Sequence, residues 1–206
     1  MVHFEWTTEK PNYVSGVTPA FRISYPKLIT PDLGPGGAGE PKFSIRMLFP
    51  KNMDAADAER LELMRKCCGQ VARAFFCKKP EDQLPKALKK PIHDGDGEDG
   101  KKGEGGFWTA NARTNAENKP ECVDQEMEHM DDERVKREIY PGCWCRAHIS
   151  IGATDKAGSK CVFFVLNHVQ KVKDDTRLAG KGSADDCFDA VEYSEAQEAF
   201  AEEGAF

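Results

Sequence analysis

The sequence predicts a mainly β (α+β) fold, with about five strands, one long inserted helix and a disordered acidic C-terminal tail. Three observations support this prediction. Several segments alternate apolar and polar residues, which is typical of strands with one buried face. The segment between Asp54 and Pro80 repeats apolar residues at spacings of three and four, which indicates an amphipathic helix. Residues 185–206 contain eight acids and no lysine or arginine, which is typical of a disordered segment.

The first two strands are predicted in the N-terminal quarter of the chain. Val17–Leu28 is rich in β-formers, and Pro26 should end this strand or place it at a sheet edge. Lys42–Phe49 alternates with a period of two, so Lys42 and Arg46 should lie on the face opposite the core. The buried face of this second strand is predicted to be Phe43, Ile45, Met47 and Phe49.

The long helix is predicted to begin after Asp54, a good N-cap residue, and to be stopped by Pro80. Its buried stripe is predicted to be Leu61, Met64, Cys68, Val71 and Phe75. Two other segments are predicted to be loops. Thr30–Pro41 is rich in glycine and proline, and residues 81–106 are charged and glycine-rich, which indicates a long flexible loop.

Three further strands are predicted in the second half of the chain, over Phe107–Arg113, Gly142–Ala153 and Lys160–Lys173. The last two are joined by the short turn Thr154–Ser159, so a hairpin is expected. Five strands with one long inserted helix are the count expected of a five-stranded OB-type barrel.

Length and charge suggest one domain, residues 1–184, followed by the acidic tail, residues 185–206. The formal net charge of −6 argues against a nucleic-acid partner at first sight. The tail, however, contains eight of the 35 acidic residues, and the remaining 27 face 29 lysines and arginines. The folded part of the chain is therefore slightly basic and can carry a basic groove.

The eight cysteines and the apolar segments indicate the compartment. No apolar stretch approaches the roughly 20 residues that span a bilayer, and no basic-then-apolar signal opens the sequence, so we expect a cytoplasmic protein. Reduced thiols are expected there. The cysteines contain no C-x-x-C pair and have no H-x-x-x-H partner, so small buried hydrophobes are favoured over metal ligands.

Catalytic motifs are absent from the sequence, so we expect no enzyme and no cofactor. The cluster Asp94, Asp96, Glu98 and Asp99 resembles a calcium or magnesium loop but lacks glycine at the sixth position. A solvated loop is the favoured interpretation. The alternative is a metal-dependent nucleic-acid enzyme with Asp94, Asp96 and Asp99 as ligands. Cys143 shares the apolar face of its strand, which is the wrong place for a reactive thiolate.

The polar faces of the strands suggest binding instead. Trp144, Arg146 and His148 alternate with core residues and should project together from a sheet. In Phe107–Arg113 the buried set is predicted to be Trp108, Ala110 and Ala112, and the exposed set Phe107, Thr109, Asn111 and Arg113. Together with Lys42 and Arg46, these residues combine aromatics that stack on bases with cations that follow a phosphate backbone. A core role for Trp144 is equally open at this point, and a one-residue register error would exchange it for Cys143.

Several short segments resemble one known family. They are FRISYPKL at Phe21–Leu28, EPKFSIRMLFPK at Glu40–Lys51, P-x-x-D-G-D at Pro91–Asp96, GFWTANAR at Gly106–Arg113, YPGCWCRAHI at Tyr140–Ile149, NHVQKVKD at Asn167–Asp174 and SADDCF at Ser183–Phe188. In order and spacing they resemble phage OB-fold single-stranded DNA-binding proteins. The resemblance implies a monomeric or dimeric protein that coats single strands during phage DNA replication or recombination.

The resemblance also assigns residues to a DNA-binding face. Those in the matching segments are Asn111, Arg113, Tyr140, Trp144 and Arg146, to which Lys171 is added from NHVQKVKD. The chain departs from the family pattern at four positions. His168 replaces a usual Asn, Phe107 and Trp144 each replace a usual Tyr, and Lys181 replaces a usual Arg. The aromatic exchanges keep stacking possible.

The acidic tail is expected to have its own partner. Related binding proteins often end in acids and a terminal phenylalanine, as this chain does at Phe206. We expect the tail to occupy the basic groove without DNA and to bind replication proteins once DNA displaces it. The residues expected to do so include Asp185, Asp186, Glu202, Glu203 and Phe206. A purely solubilising tail, and a protein-interaction adaptor that binds no DNA, are the alternatives.

Overall fold

The structure is a computed structural model that describes residues 7–10, 13–34, 39–97, 103–156 and 158–178. Within these ranges the chain is mainly β, with nine strands and two helices. In chain order they are β1 Thr7–Lys10, β2 Tyr13–Val17, β3 Phe21–Asp32, β4 Lys42–Pro50, α1 Ala55–Phe76, β5 Ile92–Asp94, β6 Phe107–Asn115, β7 Glu121–Val123, α2 Asp132–Glu138, β8 Trp144–Lys156 and β9 Ser159–Lys173. The tail predicted over residues 185–206 lies outside the described residues.

Five of the strands pair in a closed ring. β3 pairs with β4 and β4 with β6, both antiparallel, and β6 runs parallel to β9. β9 then forms an antiparallel hairpin with β8, and β8 returns to β3. These five strands are the five that the sequence predicts, including the hairpin. The remaining strands extend the ring at its margins: β2 on β8, β1 on β2, β5 on β6 and β7 on β9.

The core lies on the apolar faces that the alternation predicts. Phe43, Ile45, Met47 and Phe49 of β4 are all at most 3% exposed. On β8, the buried side chains are Cys145, Ala147, Ile149 and Ile151, with Cys143 just before the strand. The predicted register of that strand is therefore confirmed, and Trp144, Arg146 and His148 project from the other face.

β3 is longer than predicted, and Pro26 lies where the strand pairs only with β4, at a sheet edge, which is one of the two outcomes predicted for this proline. The strand continues to Asp32 and does not end at Leu28, because a bulge accommodates the proline. The register with β4 shifts between Ser24 and Lys27, and Tyr25 has a positive φ of 47°. A bulge tolerates proline because the residues in it make no ladder hydrogen bonds.

Helix α1 begins where predicted, and the Asp54 carboxylate accepts a hydrogen bond of 2.9 Å from the Asp57 N–H. Leu61, Met64, Cys68 and Val71 are buried as expected. Phe75 is 46% exposed, so its place in the predicted stripe is wrong. The buried face drifts to Ala72, and Phe76, one turn later, continues it and packs against the core.

Local sequence did not predict several short elements. Ile92–Asp94 forms β5 within residues 81–106, which corrects the expectation of a long structureless loop there. β1, β2, β7 and α2 were also unpredicted. Across the described ranges, no helix is long and apolar enough to cross a membrane. The seven described cysteines are free thiols, and Cys187 lies outside these ranges.

Candidate nucleic-acid interface

The outward faces of β4 and β6 bring four of the predicted residues together. Arg46 of β4 pairs with Asn111 of β6, Ser44 pairs with Arg113, and Lys42 lies at the end of the same row. Directly opposed residues of antiparallel strands point to the same side of a sheet. Arg113 and Asn111 are exposed, and Lys42 is half-buried.

This surface forms the floor of two connected clefts, called here the β4–β6 groove. The first cleft has a volume of about 550 Å³, and β3 residues Tyr25 and Lys27 form one wall. The second has a volume of about 560 Å³ and adds Lys90, His93 and Phe163 to the lining. Both clefts are lined by Lys42, Asn111 and Arg113.

Two aromatic side chains are exposed in the groove. Tyr25 is 65% exposed and Phe163 is 38% exposed, and neither is among the site residues predicted from the sequence. Phe163 alternates with buried Val162 and Phe164, so the period of β9 contained the signal. Tyr25 sits in the bulge of β3, which no alternation pattern predicts.

Arg46 is held by an acidic residue from the segment before β6. Its Nε and Nη2 donate to the two carboxylate oxygens of Glu104 at 2.5 and 2.6 Å, and Nη1 donates to the Asn111 side-chain oxygen at 3.3 Å. Both side chains of the pair are largely buried, at 12% and 6% exposure. Thr109 lies beneath Arg46, 3.3 Å from Nη2, and is 1% exposed, so the prediction that it is exposed is wrong.

Phe107 and Trp108 are both half-buried at the start of β6. Phe107 pairs with Pro50 and lies at the end of the row that contains Asn111. Trp108 packs against the core, as predicted, and its ring contacts two cations. The Arg65 guanidinium lies 4.2 Å from the ring centroid and the Lys51 Nζ 4.7 Å.

The acidic cluster considered as a metal site binds a lysine. Lys51 Nζ donates to the carboxylates of Asp94 and Asp96, the latter at 2.6 Å. These hydrogen bonds are the main cause of the lowered pKa of both aspartates. Asp99 lies outside the described residues, and among those described no group of three or more potential ligands is arranged to hold a metal ion.

A second cluster of predicted residues surrounds the start of β8. The Trp144 indole N–H donates to the Asp175 carboxylate at 2.6 Å, and the Tyr140 hydroxyl donates to the Asp174 carboxylate at 3.0 Å. Lys171 forms an ion pair of 2.9 Å with Asp174. Trp144 and Tyr140 are therefore covered by the segment that follows β9.

Arg146 and His148 continue along β8 and are half-buried. The rings of His148 and His168 stack with centroids 5.7 Å apart and planes 5° apart. Burial, and then the nearby His168, lower the pKa of His148. The Arg146 Nε is buried and has no hydrogen-bond partner among the described residues.

β3 lies between the two clusters. Arg22 pairs with Trp144 on one side of β3, and Ser24 pairs with Arg46 on the other. Neighbouring strands are about 4.8 Å apart, so the second cluster lies two strand spacings, about 10 Å, from β4. The predicted site residues therefore form two groups on adjoining parts of one sheet surface.

A mainly β surface that combines exposed aromatics with lysine and arginine is the kind that single-strand-binding proteins use. The comparisons with known proteins agree with this class. Residues 15–200 match the family model described as Enterobacter phage Enc34, ssDNA-binding protein, so the chain belongs to this family of phage single-stranded DNA-binding proteins. The resemblance predicted from the sequence is thus confirmed.

Solved structures of the same class match most of the chain. The Enc34 protein in complex with ssDNA is 26% identical, with a TM-score of 0.66 over 87% of this chain and 100% of that one. A second structure of the single-stranded DNA-binding protein from bacteriophage Enc34 is also 26% identical, with a TM-score of 0.64 over 91% of this chain and 99% of that one. The gp2.5 single-stranded DNA-binding protein of bacteriophage T7 shares the fold at 17% identity, with a TM-score of 0.57 over 87% and 97%. No curated protein matches the chain.

Proposed function

We propose that this protein binds single-stranded DNA in the β4–β6 groove, without sequence specificity and without catalysis, during phage DNA replication or recombination in the host cytoplasm. The observation that carries the proposal is the groove itself, in which Tyr25 and Phe163 are exposed beside Lys42 and Arg113. The chain belongs to a family of phage single-stranded DNA-binding proteins, which supports single-stranded DNA as the ligand. The five-strand ring supports an OB-type barrel, whose second and third strands form the usual oligonucleotide-binding face.

The aromatic residues supply most of the base contacts in this proposal. Stacking of a base on an aromatic side chain contributes about 1–3 kcal/mol and tolerates every base, because each base has a π face. Tyr25 and Phe163 lie in different clefts of the groove, so they contact different bases of one strand.

The cations of the groove bind phosphates. Lys42 and Arg113 line both clefts. A single strand of DNA that runs through the groove therefore contacts both residues in either direction of binding. Arg46 has a different role, because Glu104 neutralises its charge. Its Nη1 instead orients the Asn111 amide, which leaves that side chain positioned towards a base.

The test is a titration of labelled oligothymidine, followed by fluorescence anisotropy at several salt concentrations. For single strands, the logarithm of the affinity falls with the logarithm of the salt concentration by about 0.7 per phosphate contact. Changing both Lys42→Ala and Arg113→Ala should lower this slope by about 1.4 and weaken binding at low salt. The matched control is Lys78→Ala with Lys79→Ala, which removes two exposed lysines beyond the end of α1.

The outcomes separate the proposal from its rivals. Loss of affinity in the groove variant, with the control unchanged and duplex DNA bound weakly, is the expected result. If the unmodified protein binds no oligonucleotide even at low salt, the proposal is wrong and the adaptor hypothesis replaces it. Magnesium-dependent cleavage that Asp96→Ala abolishes would instead favour the enzyme, a function disfavoured because Asp94 and Asp96 bind Lys51.

We also propose that the acidic tail is the site for protein partners and that it competes with DNA for the groove. The charge distribution supports this, because eight acids without a base favour a surface that contains Lys42 and Arg113. Deleting residues 189–206 should strengthen the binding of single-stranded DNA at low salt. This expectation is the same whether the protein is a monomer or a homodimer. Unchanged affinity would refute the competition.

A further inference from the structure

The segment Asp174–Arg177 crosses the outer surface of β8 and β3, and is called here the strap. It follows β9 directly, and the next residue, Leu178, donates its N–H to the Pro141 carbonyl oxygen at 2.9 Å. It approaches very closely at Gly142, where an added Cβ would lie 2.4 Å from the Thr176 carbonyl oxygen. The strap can therefore pack on the backbone at position 142 only because glycine has no Cβ atom.

The Thr176 and Asp175 backbone carbonyls of the strap accept hydrogen bonds from Arg22 and Tyr140. Two further contacts, made by strap side chains, resemble contacts to a nucleotide. The Asp175 carboxylate accepts the Trp144 indole N–H at 2.6 Å and lies 3.8 Å from the Arg22 Nε. An anionic oxygen between an N–H donor and a guanidinium has the surroundings of a bound phosphate. The planar Arg177 guanidinium lies 4.2 Å from the centroid of the Tyr140 ring, where a base would stack.

The covered cluster continues the β4–β6 groove. Arg22 and Ser24 both project from the outer face of β3, and Ser24 is paired with Arg46 of β4. Phe21 and Ile23, which alternate with them, are fully buried. A strand of DNA that leaves the groove across β3 therefore reaches Arg22 after one strand spacing, about 5 Å, and Trp144 after two, about 10 Å, without crossing the core.

We propose that Arg22, Tyr140 and Trp144 form an additional nucleotide subsite for single-stranded DNA, which the strap occupies in the free protein through Asp175 and Arg177. This inference rests on the proposed function, because it extends the same binding path. When DNA binds, a phosphate takes the place of the Asp175 carboxylate, and a base takes the place of the Arg177 guanidinium on the Tyr140 ring.

The strap is suited to displacement. Its side chains are accessible, with Asp174 68% and Asp175 35% exposed. Its contacts to Arg22, Tyr140 and Trp144 are polar or cation–π, and a nucleotide can replace each of them in kind.

The experiment uses the full-length protein with the paired change Asp174→Asn and Asp175→Asn, which keeps the shape of the strap and removes its charge. We expect oligothymidine to bind about tenfold more tightly at low salt, because two carboxylates no longer compete with phosphate. The matched control is Glu59→Gln with Glu81→Gln, which removes the same charge at exposed positions that line neither cleft of the groove. The control should change the affinity much less.

A second readout does not depend on the stability of the variant. In a ¹⁵N–¹H correlation spectrum of the unmodified protein, the Trp144 indole signal, assigned with Trp144→Phe, should shift when oligothymidine is added. The inference is overturned if DNA binds, yet the Trp144 signal does not move and the strap variant behaves like the control. If the unmodified protein binds no DNA at all, the proposed function fails as well, and the two failures are thereby distinguished.

Discussion

The β4–β6 groove and the Trp144 cluster have similar compositions but different surroundings. Each combines aromatic rings with arginine and lysine on the outer face of the same sheet. In the groove, Tyr25 and Arg113 are exposed to solvent. In the cluster, Asp174 and Asp175 bind the polar atoms of Tyr140 and Trp144. Composition therefore identifies a surface able to bind nucleic acid, whereas the neighbouring chain determines how much of that surface is exposed.

The largest expected effect is on stability at the margin of the groove. Glu104→Ala leaves the largely buried Arg46 guanidinium without its carboxylate, which should lower the free energy of unfolding by about 3 kcal/mol. The measurement is urea denaturation. Glu128→Ala is the control, because the 69% exposed Glu128 lies 3.9 Å from Arg134 and should contribute at most about 0.5 kcal/mol. Equal effects of the two changes would show that Glu104 is not structurally important.

The next effect compares stacking in the two regions. Tyr25→Ala should weaken oligothymidine binding by about 1–3 kcal/mol, since it removes a 65% exposed aromatic ring from the groove. Tyr140→Ala should cost less, because it removes a ring and also loosens the strap that competes for the same place. Anisotropy titrations of both variants under one salt condition measure the difference. A larger loss for Tyr140→Ala would reverse the assigned order of the two regions.

A smaller effect concerns the end of α1. Phe75→Ala should change the free energy of unfolding by less than about 1 kcal/mol, because Phe75 is 46% exposed. Phe76→Ala should cost more, about 1–2 kcal/mol, because the half-buried Phe76 packs against the core. Thermal unfolding of the two variants compares them directly. An equal loss of stability in the two variants would contradict the assignment of Phe76, and not Phe75, to the buried face of α1.

The smallest effect is a pH dependence on β8. Burial and His168 hold the pKa of His148 below its ordinary value of 6.5. The unfolded chain therefore binds the proton more readily, so stability is fully present above pH 6.5 and decreases as the pH falls through the lowered pKa. Denaturation curves between pH 7.5 and 5.5 should show a decrease that is reduced in His148→Gln. An identical decrease in that variant would assign the effect to other groups.

Sequence periodicity predicted those elements that have one face in the core and the other face towards solvent. The alternation of β4 and β8 predicted their buried faces, because each strand has one apolar face and one polar face. It did not predict β5, because a three-residue strand is defined by its partner β6 and not by its own pattern. The drift of α1 towards Phe76 was missed because a 3.6-residue period does not repeat in whole residues.

The candidate site was predicted where it depends on strands and missed where it depends on distant chain. Lys42 and Arg113 followed from alternation, and the register brings them to one surface. Tyr25 was missed because a bulge directs its side chain. Glu104 lies 58 residues from Arg46 in sequence, and the strap lies more than 30 residues from Tyr140. Such pairings depend on tertiary structure, which local patterns do not contain.

Photo-crosslinking tests the central claim, that single-stranded DNA lies in the β4–β6 groove, most directly. Oligothymidine that contains 5-iodouracil is bound to the full-length protein and irradiated, and the cross-linked peptides are identified by mass spectrometry. Crosslinks to Tyr25 and Phe163, lost when excess unlabelled oligothymidine is present, are the predicted result. Efficient crosslinks confined to residues outside the groove would contradict the claim.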